Sequence, residues 1–224
     1  MSVRHTTNST TDNATDNTAD AKNNVLQHYY KLHSRIYDAT RWSFLFGRKA
    51  IVEQLATHTN PRRILEVGCG TGKNLALLAN RFPKAHITGV DISSDMLGVA
   101  KRKLSPLTTP FTLLNQPYPS AETDNRKYDI ILFAYALSMF NPGWDKAITS
   151  AVDDLKEGGT LAVVDFHRTP IAVFKRWMAV NHVRMEGHLL PFLEKHTDNV
   201  HYNIRRAYGG LWEYVVFSGQ KRSS

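Results

Sequence analysis

Five short apolar runs recur along the middle of this chain, at Arg63–Val67, His86–Val90, Phe111–Leu114, Tyr128–Ala134 and Thr160–Phe166. Stretches of helical periodicity separate them, at about Gly72–Arg81, Ser94–Lys103 and Trp144–Leu155. Runs this apolar leave no side for water, so the strands they predict need cover on both faces, which is the arrangement of a parallel sheet wrapped by helices. Pro170 stands where another helix would begin, continuing to about Val180. The chain then reads as a hairpin: Asn199–Ala207, a Tyr208-Gly209-Gly210 turn, and Leu211–Ser218. In the last segment Leu211, Glu213, Val215 and Phe217 alternate with Trp212, Tyr214 and Val216, the period of a strand.

Ahead of the first run the texture differs. Residues 1–24 are almost wholly Thr, Asn, Asp, Ser and Ala, too polar to offset the entropy of ordering, and are expected to form a disordered tail. Val25, Leu26, Tyr29, Tyr30, Leu32, His33, Ile36 and Tyr37 then fall on one helical face, and a second helix is expected from about Ser43 to His58, ended by Asn60-Pro61. Residues 25–224 are thus read as one domain, whose N-terminal helices over 25–60 are expected to cover the ligand site. With 224 residues and 42% hydrophobic content the chain fills one core and hardly two. Its lone cysteine, Cys69, excludes an internal disulfide, and no Cys/His spacing suggests a metal site. No apolar run reaches the length of a membrane span and no signal peptide is legible, so a cytoplasmic location is expected. The net charge of +8 suits an acidic partner or surface. Part of the excess lies from Asp165 onward, where nine Lys and Arg face five Asp and Glu.

The segment Glu66-Val67-Gly68-Cys69-Gly70-Thr71-Gly72-Lys73-Asn74 follows a predicted strand and opens a predicted helix. Glycines at alternate positions let the backbone turn tightly and approach a ligand that a Cβ would obstruct. A dinucleotide fingerprint needs a third glycine three places after Gly70, where Lys73 stands. A phosphate-binding loop needs glycine at Val67 and Ser or Thr at Asn74. What remains is Glu-x-Gly-x-Gly-x-Gly. The second element is Asp91, at the end of the next strand, where an ionised carboxylate can accept hydrogen bonds from both hydroxyls of a ribose. Ser93 or Ser94 is available to cap the following helix, which frees Asp91 from that duty. Phe133-Ala134-Tyr135-Ala136 follows the fourth strand, at the carboxyl edge where ligands of open α/β sheets bind.

These features in this order resemble the class I S-adenosylmethionine-dependent methyltransferases. The resemblance implies a Rossmann-like α/β fold, a mostly parallel seven-stranded sheet with an antiparallel C-terminal strand and helices on both faces. It also implies that Glu66, Gly68, Cys69, Gly70 and Gly72 hold the methionine part of S-adenosylmethionine and that Asp91 holds the ribose. Ile92 and Met96 would flank the adenine, with Ala134 at the strand end beside the site. Tyr30–Arg41, Leu45-Phe46-Gly47-Arg48, Ala134–Met139 and Val163–Phe166 look like the diacylglyceryl-homoserine N-methyltransferases of bacterial betaine-lipid synthesis, which implies a lipid headgroup amine as acceptor. Tyr37 and Tyr135 are then expected at the reacting groups, Trp177 and Trp212 are further aromatics suited to a cationic centre, and His167 follows the fifth strand where it can take a proton. Ile171–Met178 mixes apolar and basic residues with a tryptophan, a pattern suited to peripheral contact with an anionic membrane at its inner face. A small-molecule acceptor, including a quinone carbon, is the alternative substrate, and a protein that binds the cofactor without turnover is the alternative class. A nucleic-acid partner is not expected, since charge alone supports it.

Overall fold

The computed structural model describes residues 46–56, 60–120, 127–180 and 182–222. The expected tail over 1–24, the helix over 25–37 with Tyr37, and both ends of the helix expected over 43–58 lie outside the described residues. The elements are α1 (Arg48–Leu55), β1 (Arg63–Val67), α2 (Lys73–Arg81), β2 (His86–Asp91), α3 (Ser94–Leu104), β3 (Phe111–Asn115) and β4 (Tyr128–Ala134). They continue with a 3-10 turn (Leu137–Met139), α4 (Trp144–Asp154), β5 (Leu155–Phe166), α5 (Ala172–Val180), α6 (Leu189–His196), β6 (Thr197–Ala207) and β7 (Trp212–Lys221).

All seven strands join one sheet in the order β3-β2-β1-β4-β5-β7-β6. The first five run parallel, and β7 is antiparallel to both β5 and β6, so the expected fold class is the one observed. Strands β1, β4 and β5 are buried along almost their whole length, which is why their sequences lack a polar alternation. One face is covered by α1, lying on β5 and β7, with α2 and α3 beside it. The other carries α4 and α6, closing a core of Leu65, Tyr128, Ile131, Phe133, Ile148, Leu161, Val163, Leu193 and Phe217.

Two features depart from the sequence reading. β5 begins at Leu155, ahead of Gly158-Gly159, because Leu155 pairs with Tyr128 before an irregularity resets the register at Ile130 and Thr160. α6, which contains Pro191, was not expected. The proline falls in the first turn, where no intrahelical N–H bond is lost, and Leu189, Leu190 and Leu193 supply the buried side. The strand expected over 211–218 is present as β7; it lies between β5 and β6, with α1 on one face and α6 on the other, so Trp212 and Tyr214–Phe217 are all buried. The polar edge is β6, most of whose residues are exposed.

Candidate functional site

The strand order reverses between β1 and β4, and at the carboxyl end of β1 the chain makes a tight turn. Gly68, Gly70 and Gly72 have φ of +69°, +52° and +71°, a region that costs other residues roughly 1–2 kcal/mol. Space adds to this: a Cβ on Gly68 would come within 2.8 Å of the Ala136 Cβ, and one on Gly72 within 2.9 Å of the Ala100 Cβ. The turn is pinned by Gly68 N and Cys69 N, which donate to the Val90 carbonyl at 2.8 and 3.0 Å, and by Gly72 N, which donates to the Cys69 carbonyl at 3.0 Å. Lys103 reaches from α3 and donates to the Thr71 carbonyl at 2.6 Å; burial, then the nearby Lys73 and Arg48, holds its ammonium below the usual lysine range. Cys69 is buried within the turn, and burial together with Glu66 and Asp91 keeps it a thiol.

Asp91 ends β2 directly beside the turn. Its Oδ2 accepts from Gly70 N at 2.8 Å and its Oδ1 from Ser93 N at 2.9 Å. Each oxygen keeps lone-pair capacity for another donor, so the carboxylate can still receive a pair of hydroxyls. The capping of α3 falls to Ser93, whose Oγ accepts from Met96 N at 3.3 Å. Asn115 Nδ2 and Gln116 N secure the Asp91 carbonyl at 3.1 and 3.2 Å. Met96 is half-buried with its Sδ 3.6 Å from the position a Gly70 Cβ would take, and Ile92 is 78% exposed. Ala134 is buried at the end of β4.

Beneath the turn, Glu66 is buried and accepts from Asn74 Nδ2 at 2.7 Å through Oε1. Its Oε2 and the Asn74 Oδ1 are buried without a hydrogen-bond partner. Burial pushes the Glu66 carboxyl up to about 7, against the opposing pull of the Asn74 bond and the Arg48 charge. An acceptor left open in so buried a place costs ~1–3 kcal/mol. It is the chemistry of a seat for a donor, above all a cationic one.

The carboxyl ends of β4 and β5 form the neighbouring wall. Tyr135 adopts φ +58°, donates its hydroxyl to the Phe46 carbonyl at 2.9 Å and sets its ring edge-on to Phe166 at 4.8 Å. Burial and the nearby Asp165 raise its phenol well above the usual range. Asp165 is fully buried, accepts from Ser138 N at 3.1 Å and from Phe166 N at 2.8 Å, and is pushed by burial up to about 6. His167 is buried; its N donates to the Glu213 carbonyl and its own carbonyl accepts from Gly187 N, both at 2.8 Å. Burial and the adjacent Arg168 hold its imidazole below the ordinary histidine range. Trp212 is buried, with its ring stacked on Phe174 at 5.6 Å, and Trp177 is half exposed on α5.

The structure therefore groups Glu66, Gly68, Cys69, Gly70, Gly72, Asp91 and Met96 about one turn. Tyr37 lies outside the described residues. Sequence reasoning missed Lys103 and Asn115, since neither belongs to a motif; their proximity comes from α3 and β3 packing against β2. A separate cleft lined by Arg62, Arg63, Lys127 and Lys156 opens at the amino ends of the strands. That is the wrong end for a ligand of a parallel sheet.

Residues 64–159 match a family described as a methyltransferase domain. Trans-aconitate 2-methyltransferase of Afipia carboxidovorans is 38% identical over 102 residues, 46% of this chain and 38% of that protein. Malonyl-[acyl-carrier protein] O-methyltransferase of Priestia megaterium is 32% identical over 144 residues, 63% of this chain and 51% of that protein. The chain thus spans about half, or less, of the length of these relatives. Among solved structures, N-methyltransferase NodS of Bradyrhizobium japonicum in complex with S-adenosyl-L-homocysteine superposes with a TM-score of 0.64 at 18% identity, covering 79% of this chain and 86% of that one. Sequence likeness and strand order agree: residues 64–159 are similar to a methyltransferase domain, and the sheet that holds them has the Rossmann-like fold of solved methyltransferases.

Proposed function

We propose that the protein is an S-adenosylmethionine-dependent methyltransferase. The observation that carries the reading is the junction at the ends of β1 and β2, where Gly70 N–H binds the Asp91 carboxylate and Glu66 holds a buried carboxylate oxygen without a donor. The residues present fit the cofactor. The cradle at Gly68 and Gly72 has no room for a side chain of its own, the open Glu66 oxygen suits an ammonium, and Asp91 has capacity for two ribose hydroxyls. Ile92 and Met96 offer apolar surface to a base, and Ala134 with Cys69 completes the lining. The bound cofactor supplies a methyl group made electrophilic by its sulfonium.

The chain's own part is to align the acceptor and exclude water, which accounts for much of the rate in such displacements. His167 is assigned the acceptor side: its depressed titration range keeps the imidazole neutral near pH 7, able to take the proton an acceptor amine releases. Tyr135 has its hydroxyl committed to Phe46, so its contribution is a ring at the wall, and it fixes the position of the Phe46 segment. Tyr37 is assigned to the same site on the strength of the resemblance alone.

For the acceptor, the reading extends to a lipid headgroup amine of the betaine-lipid type, supported by the likeness of Ala134–Met139 and Val163–Phe166 to that family. A second reading is a small carboxylic acid methylated on oxygen, favoured by the names of the relatives matched above. Calorimetry with S-adenosyl-L-homocysteine tests the cofactor, and transfer of a labelled methyl group to lipid extract or to small carboxylic acids tests the acceptor. Absence of cofactor binding ends the whole reading. Binding without transfer to any acceptor makes the chain a non-catalytic binding protein.

A further inference from the structure

The helix α5 has apolar side chains at seven of its nine positions, yet Met178 alone is buried. A helix apolar around most of its circumference is ordinarily enclosed by protein or by lipid. Phe174 and Met178, one turn apart, hold α5 down, Phe174 by stacking on Trp212. The remaining side is presented outward: Val173, Trp177 and Val180, spaced four and three residues apart on one face, are 79%, 52% and 80% exposed. Arg176 flanks that face, Lys175 on α5 and Arg184 beside it share the carboxylate of Glu186 at 3.7 and 2.7 Å, and Arg168 bridges to the Glu186 backbone, so bases outnumber acids around the helix.

We propose that this face of α5 is a docking surface for an anionic lipid bilayer, with Val173, Trp177 and Val180 entering the acyl boundary and the surrounding bases meeting the headgroups. The combination of aliphatic residues, a tryptophan and arginines matches the interfacial binding mode. Charge decides among occupants. A second copy would bring the same surplus of bases against itself, and like charges facing each other disfavour the pairing. A nucleic acid would pair with the bases but gain nothing from Val173 and Val180. Among the described residues no helix is long and apolar enough to cross a membrane, so the contact is peripheral. α5 follows the carboxyl end of β5, the edge of the sheet that also carries the glycine turn, so docking brings the site toward the headgroups. The inference deepens the lipid reading of the acceptor but rests on the surface of α5 itself.

The test is co-sedimentation of the full chain with vesicles of phosphatidylcholine alone and of phosphatidylcholine mixed with phosphatidylglycerol, at low salt. Binding to the mixed vesicles and a blue shift of tryptophan emission that disappears in Trp177→Phe are expected. Val173→Ser with Val180→Ser should weaken binding ~10-fold or more, and Arg176→Ala about fivefold, the worth of one base near an anionic surface. The melting temperature and S-adenosyl-L-homocysteine affinity of the double serine variant should match those of the parent. No sedimentation with anionic vesicles overturns the proposal. So does sedimentation that needs Arg176 but is unaffected by the two serines, which is adsorption by charge alone. A parent that is dimeric by light scattering and becomes monomeric with the serines also overturns it, since the face is then a self-interface. Failure of vesicle binding with cofactor binding intact removes this surface only, whereas loss of cofactor binding with vesicle binding intact removes the function proposed above.

Discussion

Replacing Glu66 by glutamine isolates the electrostatic cost of the buried carboxylate under the glycine turn. The folded state holds this carboxyl at about 7 against an ordinary value of 4.5. Between those values the folded chain binds a proton that the unfolded chain has released, so stability falls as pH rises through the window. The penalty is absent below about 4.5 and complete above about 7. A displacement of about 2.5 pH units corresponds to about 3 kcal/mol. Because glutamine keeps an acceptor for Asn74 and carries no charge, Glu66→Gln should gain up to that amount over the parent at alkaline pH and little at acid pH. About 2.5 kcal/mol of this accrues between about pH 5 and about pH 8, and for a fold of this size each kcal/mol moves the melting temperature by about 2–4 °C, so the gap should widen by about 5–10 °C across that range. Differential scanning calorimetry of both proteins across that range makes the comparison. Cofactor affinity should respond oppositely: an ammonium at the open Glu66 oxygen favours the carboxylate, so the parent's affinity for S-adenosyl-L-homocysteine should rise with pH through the same window, and the variant's should not. A melting difference that stays constant from about pH 5 to about pH 8 refutes the assignment of a destabilising buried charge.

Asp91→Ala removes the acceptor for Gly70 N and Ser93 N and for the proposed ribose hydroxyls; at about 1.5–3 kcal/mol for each bond to a charged acceptor, cofactor affinity should fall by more than ~10-fold, read by calorimetry. Gly72→Ala places a Cβ at φ +71° and 2.9 Å from the Ala100 Cβ, and chemical denaturation should show a loss of ~1–3 kcal/mol. Trp212→Ala empties the stack that joins Phe174 to Tyr208 and Phe46 and should cost about 3–5 kcal/mol by the same measurement. His167→Gln should lower kcat at neutral pH while leaving cofactor affinity within about twofold, since the side chain is assigned to proton transfer; an unchanged kcat removes it from the mechanism.

Local sequence determined the parts of this protein whose physics is local. The apolar runs that became β1 and β4 needed no context, because a strand buried on both faces must be apolar throughout. The glycine turn was legible because positive φ and absent side chains are properties of the residues themselves, and the place of Asp91 at the end of β2 was legible from the apolar run that it closes. Tertiary structure decided what depends on neighbours far along the chain. Whether β7 had a wet face was settled by its place between β5 and β6 with α1 and α6 over it. Lys103 became part of the turn through the packing of α3, 32 residues from Thr71 in sequence. Glu66 acquired its raised titration range only by being enclosed, and α5 kept Val173 and Val180 exposed while Phe174 stacked on Trp212 and Met178 became buried. Burial and charge are sums over everything that surrounds a group, and the order of residues along the chain does not contain that sum until the sheet has closed.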